Sequence, residues 1–444
     1  LTLDTSVTID TNNTTNDGNI SFSSTINGTS ANTQDLTTDA GSGTIAFNGA
    51  LGNTNSLKNV TITSGTATFA AAVHMDGNFV NSGIVNAGSV NWNVAGNWTN
   101  SGTFNHNNST VTFDGTGAVI TTGGTGTGKA FYNIVINSTG TKALAGAIDV
   151  DGTFELQTGT FICTGYNQNY AGNFTLTLGT TYTKGGTLTF DGDLILTDNT
   201  AVKQNLGTIV IGSSPDSVTL ASNISADSIT VNAADTLTTA GYDISLTDFL
   251  SIAATGTLNA SAGLGGDTAI TLAGTWTNSG TFTCGTSTVT FNGTAAQVIT
   301  SGASAFNNVT FNNTNTNINY TGALSIGGNV VLSKNTSITS TNNTNLGITG
   351  TVNGGYTLGI NSGTGTVTLS GAVGNTTAVN SLSITGSTIN LNGGSITTAD
   401  VTSNNVILTG AVTLGASLTI NTNNAVNDGI ISIIGAVSAG NYDL

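Results

Sequence analysis

Apolar residues along this chain recur in a short pattern of apolar, Thr or Ser, apolar. It appears as Val7-Thr8-Ile9, Val60-Thr61-Ile62, Val111-Thr112-Phe113, Leu188-Thr189-Phe190, Val289-Thr290-Phe291, Val309-Thr310-Phe311, Val367-Thr368-Leu369, Leu382-Ser383-Ile384 and Leu418-Thr419-Ile420. Alternation with period two predicts short strands with one face buried and the other wet. Asn, Gly, Asp and Ser surround each triplet, and these residues tolerate the backbone angles of tight turns. Strands of three residues cannot stand alone, so they must stack on others of the same kind.

Spacing between the triplets predicts how they stack. Val289 to Val309 is 20 residues, Val309 to Val330 is 21, and Val367 to Leu382 is 15. A step near 20 is one coil of a parallel β-helix, each coil laying its strands on those of the last. The strict hexapeptide period of a left-handed β-helix is missing, as is the Gly-Gly-x-Gly-x-Asp nonapeptide of calcium-binding rolls. The fold expected is therefore all-β, a parallel β-helix (β-solenoid) with coils of about 20 residues.

Longer repeats lie above the coil. Gly96-Asn97-Trp98-Thr99-Asn100-Ser101-Gly102-Thr103-Phe104 returns 178 residues later as Gly274-Thr275-Trp276-Thr277-Asn278-Ser279-Gly280-Thr281-Phe282, and the likeness runs over 96–136 and 274–311. Residues 43–63 resemble 365–385, and 2–18 resemble 413–429. A string of immunoglobulin-like sandwiches would need a period near 90 residues and linkers between domains. Half of 178 is 89, yet the residue 89 past Trp98 is Thr187, with no matching motif around it. Residues 1–444 are thus expected to be a single continuous β-solenoid array.

Composition narrows the function. The 444 residues include 60 Gly, one Pro (Pro215), six Lys, no Arg and a single Glu (Glu155), and the formal net charge is −16. Helix formers are nearly absent, which excludes a mostly helical protein. Without Arg or a basic patch nothing can neutralise phosphates, so nucleic acid is not an expected partner. No run approaches the 18 apolar residues of a membrane span, and membrane insertion is not expected. Cys163 and Cys284 are too few for a disulfide scaffold and lack metal-ligand spacing. A charge-poor, Cys-poor, Thr/Asn/Gly-rich chain suits an exported bacterial or archaeal surface protein.

The Trp-Thr-Asn-Ser-Gly-Thr-Phe phrase at 98–104, its copy at 276–282, and Gly172-Asn173-Phe174-Thr175-Leu176-Thr177-Leu178 resemble filamentous-haemagglutinin-type and autotransporter-passenger β-strand repeat proteins. The resemblance spreads over nearly the whole chain. It implies a right-handed parallel β-helix at the cell surface, acting in adhesion, biofilm or an extracellular fibre.

Candidate chemistry is sparse. β-Helix enzymes acting on polysaccharides cluster Asp with Arg or Lys; here Arg is absent and Glu155 has no Glu partner for a paired-carboxylate mechanism. Asp149 and Asp151 flank Val150, and Asp191 and Asp193 flank Gly192, so each pair shares a strand face. Either pair offers oxygen ligands to calcium, against the plainer reading of solvated turn residues. Trp98 and Trp276 are the candidate glycan-stacking residues; core stacking is the competing reading and the one preferred. At the offset of 178, His106 falls on Cys284, which argues against a shared catalytic site. Cys163 reads as a small side chain in the stack, and His74 has no evident nucleophile to serve. Gly123 to Lys129 brushes against a phosphate-loop pattern but is too short, and Ala130 stands where Ser or Thr is needed. Sequons such as Asn59-Val60-Thr61, Asn97-Trp98-Thr99 and Asn308-Val309-Thr310 leave glycosylation open.

The function expected is structural and non-enzymatic: a β-solenoid in an extracellular fibre, sheath or surface adhesin, with no cofactor and no catalytic residues. A glycan- or cell-binding adhesin is the alternative, and a polysaccharide-active enzyme the third reading. Leu1 opens on a strand pattern and Ile430 to Leu444 is still apolar, so both ends are expected to be covered by more solenoid, or by copies associating head to tail.

Overall fold

The structure, a computed structural model, describes residues 1–212, 215–423 and 425–444. Among these residues there is no helix; the chain makes about 21 turns of parallel β-solenoid at roughly 21 residues per coil. Its contacts gather into two compact units, residues 1–210 and 211–444.

The triplets behave as their alternation predicts. In the second unit Ile224, Ile244, Ile270, Val289, Val309, Val330 and Val352 pair in turn, building one inward column of β-branched side chains. All seven are at most 2% exposed, and burying each contributes about 1.5–3 kcal/mol before the entropy of ordering the chain. The next residue of each strand points outward, giving the parallel column Ser225, Ser245, Thr271, Thr290, Thr310, Val331 and Asn353.

The first unit fills its interior with rings. Phe22, Phe47 and Phe69 stack at centroid separations of 5.1 and 4.6 Å. The column Val60, Phe79, Trp98, Ile120, Leu144 runs beside them. Trp98 touches Phe79, Phe104 and Phe131 at 4.5, 4.9 and 5.1 Å.

Corners are held by asparagine. Asn59 Oδ1 accepts the backbone N–H of Asn78, Asn78 Oδ1 that of Asn97, and Asn97 Oδ1 that of Val119. In the second unit Asn308 serves Asn329, and Asn329 serves Thr351. Most of these bonds satisfy a turn N–H beside a strand; the Val119 N–H belongs to the strand Gly117–Thr121. The need repeats every coil, which accounts for the abundance of Asn, including the sequon residues Asn59, Asn97 and Asn308. Inward-facing corner carbonyls are met by long polar side chains. Fully buried Lys142 donates to Ala95 O at 3.1 Å and Gly115 O at 2.8 Å. In the second unit Gln297 Nε2 does the same for Leu272 O and Gly274 O.

Some strands turn a corner without breaking. Phe154–Ile162 bends at Gly159, whose φ is +87° and where a β-carbon would lie 2.3 Å from Ser138 O. Only glycine fits there.

Candidate functional site

A large groove in the first unit arises where a coil grows too long for its stack. Thr103–Asn105 and Ile148–Val150 are strands about two coils apart, and between them Phe131 bridges to Val150. The chain ahead of Phe131 swings outward through Gly123, Gly124, Gly126 and Gly128. Gly123, Gly124 and Gly128 take positive φ, and nothing lies within 4 Å of a β-carbon placed on Gly124 or Gly126. The loop is pinned at its base: Phe104 N donates to Gly128 O at 2.7 Å, and Lys129 Nζ donates to Ser101 O at 3.0 Å and to Gly102 O. A groove of about 620 Å³ remains, walled by residues 125–128 on one side and by His106, Asp149 and Asp151 on the other.

His106 is fixed from three directions. Its Nδ1 accepts the Asn108 N–H at 3.3 Å, so the proton sits on Nε2, which donates to Asp151 Oδ2 at 2.9 Å. The ring lies against Tyr132, 5.5 Å between centroids and 25° from parallel. The turn that permits this puts Asn107 and Asn108 at φ of 47° and 63°, a region Asn tolerates. With both nitrogens engaged, the imidazole holds the Asp151 carboxylate in place.

Asp149 faces outward on its strand, half-buried, in register with Asn169 of the next coil. Burial pushes its carboxyl up to about 6, helped by the charges of Asp151 and Asp191; a hydrogen bond from Asn169 and the nearness of His106 pull the other way. Asn169 also donates to Asp191 Oδ2 at 2.8 Å. The groove thus presents carboxylate oxygens, one of them in an environment that disfavours its charge.

Coil register explains why the sequence offered Asp149 and Asp151 as candidates but not their meeting with His106. His106 and Asp151 are 45 residues apart and meet only because the loop vacates the coil between them. A signal was present in the repeats. From Ile120 to Phe131 is 11 residues, but the equivalent Ile299 to Phe306 is 7. Phe306 bridges Ile326 as Phe131 bridges Val150, so Asp149 and Asp151 correspond to Ser325 and Gly327, and His106 to Cys284. The long loop, the histidine and both carboxylates belong to one copy only.

Trp98 and Trp276 are 1% and 0% exposed. Both rings are inside the stack, in keeping with the core reading preferred from sequence and against the glycan-stacking alternative. Trp and Phe of the repeated phrase both point inward, and a corner at Ser101 and Gly102 lies between them. Asp191 joins the electrostatic neighbourhood of Asp149, whereas Asp193 is exposed. Among the described residues no three His, Cys, Asp or Glu side chains form a group able to hold a metal ion, so the calcium reading gains no support. Cys163 is buried, and burial drives its thiol well above its ordinary value. His74 Nε2 lies 3.3 Å from Asp76 Oδ1, and Ser56 donates to the other oxygen of Asp76. That order puts the carboxylate between serine and histidine, which activates no nucleophile.

No protein-family model matches the chain, and comparison with curated proteins and with solved structures finds no match.

Proposed function

We propose that the protein is a structural, non-enzymatic β-solenoid of an extracellular fibre, sheath or surface adhesin, of the filamentous-haemagglutinin or autotransporter-passenger type. The observation that carries this reading is the uniformity of the ladders: coil after coil repeats one inward column and one set of Asn corners, as in the seven-coil column from Ile224 to Val352. Such repetition makes a surface that stacks and stiffens, and nearest-neighbour coils supply each other's hydrogen bonds. It also resists cleavage. Only six Lys and no Arg offer trypsin a site, and Lys142 is buried.

In this reading the chain associates with further solenoid, either of its own polypeptide or of other copies head to tail, because a parallel strand edge of one coil is the template for the next. Electron microscopy of the native material, with immunogold labelling of intact source cells, tests it. Labelled surface filaments or sheaths that survive trypsin are the expected result. Label confined to the cell interior, or a monomer of 44.2 kDa that never self-associates at high concentration, refutes it.

A further inference from the structure

The groove beside His106 is anionic and has room for a ligand. The ionisable groups near Asp149 are Asp151 just past its own strand end, Asp191 from the coil beyond, and His106, which bonds Asp151. His106 is the one group of these able to carry positive charge, and its Nε2 is already engaged by Asp151 Oδ2 at 2.9 Å, so the three carboxylates outnumber it. The nearest lysine of the loop, Lys129, turns its amine away to the carbonyls of Ser101 and Gly102. A half-buried carboxylate among like charges is costly as it stands, and a cation entering the groove relieves that cost. A neutral hydrogen-bond donor relieves it less than a charged one.

Size and lining add a second requirement. A space of about 620 Å³ exceeds what a bare ammonium ion fills and suits a ligand of one or two rings. Asn105 and Asn107 bring amide groups to the wall, and the glycines of the loop let a ring approach backbone N–H and C=O closely. These are partners for hydroxyl groups. Independent of both points is the contrast between repeats. Where the second copy has Cys284, Ser325, Gly327 and a short loop, the first has His106, Asp149, Asp151 and four more loop residues. All these differences converge on one groove.

We propose that this groove binds an unacetylated amino sugar, with Asp149 and Asp151 receiving its ammonium group and Asn105, Asn107 and the 125–128 backbone receiving its hydroxyls. His106 acts as a positioning residue that fixes the Asp151 carboxylate. A fibre with an empty groove leaves the structural reading above intact, so the two fail separately.

Calorimetric titration of the full chain at pH 7 with the β-1,4-linked glucosamine disaccharide tests it, with histidine NMR resonances followed in parallel. Saturable binding is expected, with the His106 ring signals shifting. Affinity is expected to fall about tenfold or more for Asp149→Asn, for Asp151→Asn, for the N-acetylated disaccharide and for cadaverine. Binding is also expected to weaken from pH 7 to pH 5, because a cation favours the ionised form of Asp149, and that form is lost as the pH falls through about 6. Both variants are isosteric and outward-facing, and circular dichroism checks their fold. Four results overturn the proposal: no saturable binding at millimolar ligand, equal binding of the acetylated disaccharide, equal binding of cadaverine, or undiminished binding in folded variants.

Discussion

Trp98→Ala probes whether the repeated tryptophans are core residues, as their burial requires. The side chain is 1% exposed and makes ring contacts with Phe79, Trp92, Phe104, Phe113 and Phe131. An aromatic side chain buries about 150–250 Å², worth about 4–6 kcal/mol at about 25 cal/mol per Å². The neighbours are themselves rigid rings anchored on different coils, so the hole collapses only partly. Trp-to-Ala changes in comparable cores cost about 3–5 kcal/mol, and a loss of about 4 kcal/mol is expected. Trp98→Phe keeps most of the contacts and is expected to lose about half as much. Solenoids can unfold coil by coil, so a single melting temperature is a poor readout. Hydrogen exchange followed by mass spectrometry resolves the effect locally. Protection should drop in the segments containing Phe79, Phe104 and Phe131 and hold in segments beyond residue 211. A loss under about 1.5 kcal/mol with unchanged exchange would refute the core assignment and return Trp98 to the surface.

Asp149→Asn should stabilise the fold above pH 6, on the order of 1–2 kcal/mol after allowance for solvent screening. Because the folded carboxyl sits near 6, above its ordinary 3.8, the penalty is present at neutral pH and disappears as the pH falls towards 4; thermal melts at pH 8 and pH 4 check the sign. The same variant should bind the amino sugar less well, so a gain in stability with a loss of binding marks a functional carboxylate rather than a structural one. Gly159→Ala forces a side chain into positive φ and against Ser138 O, and should cost about 2–4 kcal/mol by urea titration; an unchanged midpoint would contradict the corner geometry. The hydroxyl of Ser64 and, beyond it, the Gly41 N–H hold Asp39 below the usual carboxylate range. Ser64→Ala should therefore weaken the fold at neutral pH and make no difference in strong acid, once Asp39 is protonated; pH-dependent melting tests this.

The fold was legible because its signal is local and repeated. Val289-Thr290-Phe291 and Val309-Thr310-Phe311 declare a strand face in three letters, and their 20-residue step gives the coil; the structure pairs these two residue for residue. Trp98 was legible in part, since core stacking was the preferred reading of the repeated tryptophans, while the corner between Trp98 and Phe104 was not. The groove was illegible for a physical reason. Which outward residues become neighbours depends on coil length, and the loop before Phe131 changes that length where it matters. The offset of 178 matches His106 to Cys284, and that pair taken alone argues against chemistry. Only when the alignment is carried past the loop to Asp149 and Asp151 do three coincident differences replace one. The abundance of Asn resembles a bias of composition and is in fact a corner requirement, as Asn59, Asn78 and Asn97 show.

The two columns that run side by side through the second unit have a consequence for how such a chain diversifies. Inward, seven successive coils admit only Ile and Val; outward, the adjacent positions hold Ser, Thr, Val and Asn. Duplicating a coil therefore copies a tested scaffold together with a blank outer face. Each outer letter can then drift at almost no cost in stability, because it packs against water and its two ladder neighbours alone. The groove at His106 shows that freedom: two copies of one repeat share their inward pattern and differ on the solvent side. In a chain built this way new recognition is gained by editing one duplicate, and the fold is never put at risk.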